Sequence, residues 1–122
     1  MASQSKVGFI GLDDLSLELA ASLLRAGYGV QAFETFSPLM DAFLKLGGVG
    51  CVNPMEAGRG VGALIILISH ADQINDIIFS HEGALKGLQK HVVIILHSTI
   101  SPAYIQKLEK SITGNFFLHI SC

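Results

Sequence analysis

The stretch Lys6–Ala26, KVGFIGLDDLSLELAASLLRA, constrains this chain more than any other. A short apolar run, Val7-Gly8-Phe9-Ile10, stops at Gly11 and passes at once into a stretch of helical period. Leu15, Leu19 and Leu23 recur at i, i+4 and i+8, with Ala20 and Leu24 beside them, and Gly27 stands where a helix would terminate. The pattern predicts strand, tight turn and helix, the first half of a βαβ unit. A glycine-rich turn in that setting places a pyrophosphate on the helix N-terminus, where unpaired N–H groups and the helix dipole favour an anion. The full dinucleotide fingerprint asks for three glycines, which here would fall at 11, 13 and 16; the chain has Gly11, Asp13 and Ser16.

The remaining residues must share one domain with this unit, because a chain of 122 residues buries one core and not two. Half of the residues are hydrophobic, with a mean hydropathy of +0.52. A parallel sheet covered on both faces accounts for that, since its strands read as continuous Val/Ile/Leu runs. The longest apolar stretch, Val61–Ile68, is far short of the ~18 residues of a membrane span. A net charge of −2 gives no basic footprint for nucleic acid. Cys51 and Cys122 are far apart and lack metal-ligand spacing, so both are expected to be reduced thiols. Only five polar or small residues precede the first strand; no secretory signal is expected, and a cytoplasmic location is the default.

Taken in order, the chain predicts strand one at about Val7–Ile10, helix one at Asp14–Ala26 and strand two at Val30–Phe33, ending on Glu34. Ser37-Pro38 reads as the cap and first residue of helix two, which Gly47-Gly48 stop. A third strand at Val49–Val52, a short helix from Asn53-Pro54 and a buried fourth strand at Ala63–Ile68 come next. His70–Phe79 is expected to be helical, Val92–Leu96 a fifth strand, and Ser101-Pro102 the start of a helix to about Ile112. A last run at Phe116–Leu118 completes a domain over 6–118, flanked by tails at 1–5 and 119–122. This alternation predicts an α/β fold of Rossmann type: a doubly wound parallel sheet, strand order 3-2-1-4-5-6. Ligands on such sheets sit outside the carboxyl ends of the strands, at the switch between strands one and four. That edge carries Gly11, Leu12, Asp13, Asp14 and Leu15, then Glu34, Ser69, His70, Ser98 and Thr99.

Glu34 lies about where the acid that binds the adenosine ribose is expected. A carboxylate there accepts from both ribose hydroxyls and repels a 2′-phosphate, favouring NAD over NADP; the plainer alternative is a solvated charge at a strand end. Asp13 opposes the same ligand. Ionised about 5 Å from a pyrophosphate, it costs on the order of 3 kcal/mol at an effective dielectric of ~20, and its Cβ blocks the close approach glycine permits. Either Asp13 or Asp14 can instead cap helix one, its carboxylate standing where the phosphate would. Ser98 and Thr99 could meet a nicotinamide or a substrate carboxylate, or simply satisfy the turn while Ser101 caps the next helix. His70, His81, His91, His97 and His119 show no ligand spacing, and only His70 and His97 fall near the expected cleft.

VGFIGL before helix one, strand two ending at Glu34, ILIS at 66–69 and STISP at 98–102 together resemble the N-terminal domain of the β-hydroxyacid dehydrogenases. That group holds 3-hydroxyisobutyrate, 6-phosphogluconate and L-threonate dehydrogenases. The segments QAFE, SHADQINDIIF, GLQK and STIS are also similar to the dehydrogenase-like domain of a plant protein that carries a class II ketose-bisphosphate aldolase-like domain. The family pattern Gly-Leu-Gly-x-Met-Gly is here Gly11-Leu12-Asp13-Asp14-Leu15-Ser16, and Asn-Arg-Thr of NADP-dependent members is Glu34-Thr35-Phe36, without the arginine. The resemblance implies a bound NAD, with Ser98 and Thr99 beside nicotinamide and substrate. It also implies that the catalytic lysine belongs to a later helical domain. His119-Ile120-Ser121-Cys122 replaces the family's Asp-Ala-Pro-Val-Ser-Gly-like segment, as in a truncated or alternatively spliced product. Two rival expectations stand beside a dinucleotide-binding domain: a non-binding scaffold or homo-oligomerisation module, and half of an oxidoreductase completed by a partner chain.

Overall fold

A computed structural model describes residues 5–68, 73, 75–89, 92–98, 103, 106, 107, 110 and 117–121. Strands β1 (Lys6–Ile10), β2 (Gly29–Phe33), β3 (Val49–Gly50), β4 (Ala63–Ile68), β5 (Val93–Ser98) and β6 (Phe117–Ser121) form one sheet, ordered β3-β2-β1-β4-β5-β6. Every pairing is parallel. The predicted order therefore holds, with the switch between β1 and β4.

Strand periodicity divides the core into two layers. Val7 and Phe9 of β1 and Val30 and Ala32 of β2 point to one face. There they meet Ala20 and Leu23 of α1 (Asp14–Arg25) and Leu39 and Phe43 of α2 (Ser37–Lys45). Ile10, Leu64, Ile66, Ile94 and Leu96 point to the other face. That layer is covered by Ala57 of α3 (Pro54–Ala57), Ile78 of one π-helical turn (Asn75–Phe79) and Ala84 of one 3₁₀ turn (Ala84–Lys86). A period of two places successive residues on opposite faces, so each strand feeds both layers.

Glycine sets the two helix exits. Past α1, Gly27 takes φ +97, its amide bonds the Leu24 carbonyl, and Tyr28 N–H reaches back to Leu23. Gly47 (φ +105) and Gly48 repeat the arrangement past α2, on Leu44 and Phe43. Both are Schellman closures, which turn a helix sharply into the next strand. On the second face α3 sits so close to β1 that a Cβ on Gly8 would collide with the Ala57 carbonyl oxygen. From β2, Gln31 Nε2 lies 3.0 Å from each of the Glu56, Ala57 and Arg59 carbonyls, supplying donors to the orphan C-terminal end of that short helix.

Several boundaries differ from the sequence expectation. Ser37 does not cap α2: Phe36 is the N-cap, Ser37 is helical, and no side chain caps the end. Pro38 in the first turn contributes no N–H, and the Phe36 amide is satisfied by Glu34, so fewer donors need a cap. β3 is shorter than expected, two residues rather than four. β5 runs past Leu96 to include His97 and Ser98, because its ladder with β4 continues to the Ile68–Ser98 pair. β6 in turn extends to Ser121, so residues 119–121, expected to lie beyond the last strand, belong to the sheet. Backbone pairing sets these lengths, and polar side chains do not end it. Of the helix expected over 101–112, Ala103, Gln106, Lys107 and Lys110 are described and are helical. Among the described residues no helix is long and apolar enough to cross a membrane.

Candidate functional site

At the carboxyl edge, Gly11 follows β1 with φ +87, and its amide donates to the Phe33 carbonyl at 2.9 Å. A Cβ there would stand 3.0 Å from Cβ of Leu67. Gly11 thus holds the ends of β1, β2 and β4 together at the switch point. Leu12 is buried beneath the turn, and its amide donates to Glu34 Oε1 at 2.6 Å. Glu34 Oε2 accepts from the Phe36 amide at 2.9 Å. The Glu34 carboxylate is therefore a brace between the turn after β1 and the turn after β2, and not merely a solvated charge.

Asp13 is the N-cap of α1: its backbone is extended (φ −145), and its carboxylate accepts from the Ser16 amide at 2.8 Å. Of the two aspartates that could have capped, Asp13 does so, and Asp14 occupies the exposed first helical position. Ser16, where the fingerprint wants its third glycine, is 8% exposed. Its small side chain preserves the close contact of helix and strand.

These groups open on a cleft of about 470 Å³ lined by Gly11, Leu12 and Asp13, by Phe33, Glu34 and Thr35, and by Leu67, Gln73, Asp76 and Ile77. A smaller cavity of about 270 Å³ shares Phe33, Asp76 and Ile77 with it. At its rim Asn53 caps α3, accepting from the Glu56 amide at 2.8 Å and donating to the Glu82 carboxylate at 3.2 Å.

Of the predicted site residues, the fold brings Gly11, Leu12, Asp13 and Glu34 into the cleft wall. Asp14 and Leu15 sit just outside it on the first turn of α1, where Leu15 is 70% exposed. Ser98 closes β5 opposite Ile68. Ser69, His70 and Thr99 lie outside the described residues, and His97 is an exposed residue of β5. Sequence reasoning missed Gln73, Asp76 and Ile77. Their position after the fourth strand was a signal, but no periodicity announces a π-helical turn, a geometry that recurs at functional sites.

The residues fit one part of a dinucleotide better than the other. Each Glu34 oxygen holds one amide donor and retains capacity for a hydroxyl, as a ribose diol requires. On the phosphate side, the Leu12 and Ser16 amides already serve carboxylates. Among the described residues no group of His, Cys, Asp and Glu could hold a metal ion.

Residues 6–121 match the family described as the NAD binding domain of 6-phosphogluconate dehydrogenase. L-threonate dehydrogenase of Cupriavidus necator is 31% identical over 102 residues, covering 84% of this chain and 34% of that protein. Mitochondrial 3-hydroxyisobutyrate dehydrogenase of Mus musculus is 27% identical over 112 residues, covering 92% of this chain and 33% of its own length. A solved 3-hydroxyisobutyrate dehydrogenase from Salmonella typhimurium superposes with a TM-score of 0.82 at 26% identity, over 94% of this chain and 40% of that one. The chain thus spans between a third and two fifths of these relatives.

Proposed function

We propose that this chain, which belongs to the family of the NAD binding domain of 6-phosphogluconate dehydrogenase, binds NAD(H) in preference to NADP(H). The observation that carries the preference is Glu34. Its carboxylate lies in the cleft wall just past β2, braced by two backbone amides, and the next residue is Thr35 rather than a cation. A 2′-phosphate placed against it would meet like charge, with no lysine or arginine among the described lining residues, whereas a free 2′-hydroxyl can donate to it. Calorimetry with NADH and NADPH tests this. The affinity ratio should exceed about ten, a difference of ~1.4 kcal/mol; equal or tighter NADPH binding would overturn the preference.

For the whole protein, the names of the relatives suggest an oxidoreductase acting on short hydroxy acids. In that role the residues seen here hold the cofactor, and the remaining length of the relatives has no counterpart in residues 1–122. The cofactor, when bound, supplies the hydride chemistry. Gly11 and the first turn of α1 position it, and Glu34 selects its ribose.

A further inference from the structure

Charge is unevenly spread about the sheet. Among the described residues, Lys6 opens β1, Arg25 ends α1 before β2, and Lys45 ends α2 before β3. Arg59 follows α3 before β4, and Lys86 lies in the 3₁₀ turn before β5. In a parallel sheet with crossover connections, all of these fall toward the amino edge. Lys107 and Lys110 belong to the β5–β6 connection and do not line the cleft. The carboxyl edge is acidic: Asp13, Glu34 and Asp76 line the cleft, and no described lysine or arginine does. A strand of five residues at ~3.3 Å each sets the two edges about 16 Å apart. That is roughly twice the ~8 Å screening length at physiological ionic strength, so the basic residues cannot offset a phosphate at the cleft.

The turn itself adds to this. Its Leu12 and Ser16 amides are engaged by the Glu34 and Asp13 carboxylates, so a phosphate reaching either must compete with a negative group already in place. Ribose hydroxyls are donors and suffer no such competition. We propose that the cleft draws its affinity from the uncharged nucleoside part of its ligand and disfavours the phosphates, so that adenosine binds at least as tightly as AMP, ADP or NADH. The proposal rests on the reading of this cleft as the dinucleotide site.

The test is calorimetry on the chain with adenosine, AMP, ADP and NADH, at about 20 and 300 mM NaCl, where screening lengths differ severalfold. Affinity should fall from adenosine to AMP to ADP. Added salt should tighten ADP binding by roughly two- to fivefold, by screening repulsion, and leave adenosine nearly unmoved. Asp13→Asn, which keeps a strong N-cap and so the fold, should raise the ADP-to-adenosine affinity ratio by about fivefold or more. ADP or NADH binding more than about threefold tighter than adenosine, or ADP binding that weakens with salt as at a basic phosphate site, would overturn the proposal and leave the dinucleotide reading intact. Absence of binding by all four ligands at millimolar concentration would overturn that reading, and the proposal with it.

Discussion

At Asp13 a single carboxylate satisfies a helix end and, by the same placement, crowds the position of a phosphate. The cap contributes about 1 kcal/mol to the fold. Asp13 is exposed, so its repulsion of a pyrophosphate belongs nearer ~1 kcal/mol, at water-like screening, than the ~3 kcal/mol expected at an effective dielectric of ~20. Cys51 shows the reverse balance, a group altered by burial. Desolvation first, then the neighbouring Glu56 carboxylate, raises its thiol from 9.0 to about 11, against a smaller lowering by the Ala32 backbone. At pH 8 the folded chain should therefore alkylate at Cys51 roughly a hundredfold more slowly than the urea-unfolded chain, the difference in thiolate fraction. Iodoacetamide labelling with peptide mapping checks this, and comparable rates would refute it. Because the folded value is raised, the stability linked to this thiol is fully present below about pH 9 and is lost as pH rises through about 11.

Among the elements, α3 is seated closely against the sheet. Gly8 leaves room for its last turn over β1, and Gln31 ties its carbonyl end to β2. With β1 flanked by β2 and β4, neither backbone can retreat from an added methyl group. Gly8→Ala should cost about 2–3 kcal/mol, lowering the melting temperature by roughly 10 °C. Gly62, around which a Cβ would find open space, makes the control: Gly62→Ala should change stability by less than about 0.5 kcal/mol. Thermal unfolding of both variants decides it, and equal melting temperatures would mean that α3 yields freely.

For the whole molecule, the cleft offers carboxylates as its titratable groups among the described residues: Asp13 and Glu34, both engaged by backbone amides, and Asp76. Removing a proton from a hydroxy acid calls for a base within reach of the hydroxyl, in a site that excludes water. An open cleft on one sheet edge does not exclude water, and of its described carboxylates Asp13 and Glu34 are already held by backbone amides. Residues 1–122 alone should therefore form NADH from short hydroxy acids at less than ~0.1 per second, far below the ordinary enzyme median of ~10 per second. An absorbance assay at saturating NAD checks this; faster turnover abolished by His97→Ala would place the base within this chain.

The sequence by itself determined the sheet, its strand order and the site's edge. Alternating apolar runs and helical periods are local patterns, and right-handed parallel crossovers leave few ways to connect them. It also placed Gly11, Asp13 and Glu34 together, because strand ends in a doubly wound sheet converge on the switch point. Strand lengths were less legible: His97, Ser98, His119 and Ser121 are polar enough to read as loop, yet hydrogen bonding to a neighbouring strand keeps them in the ladder. Only the tertiary structure decided which aspartate caps α1, since the choice depends on where the chain leaves β1. The Glu34 brace on Leu12 and Phe36, the seating of α3 over Gly8 and the entry of Asp76 into the cleft wall were likewise decided there. Each joins residues distant in sequence at a separation of a few ångströms, and a pattern read along one chain carries no such distances.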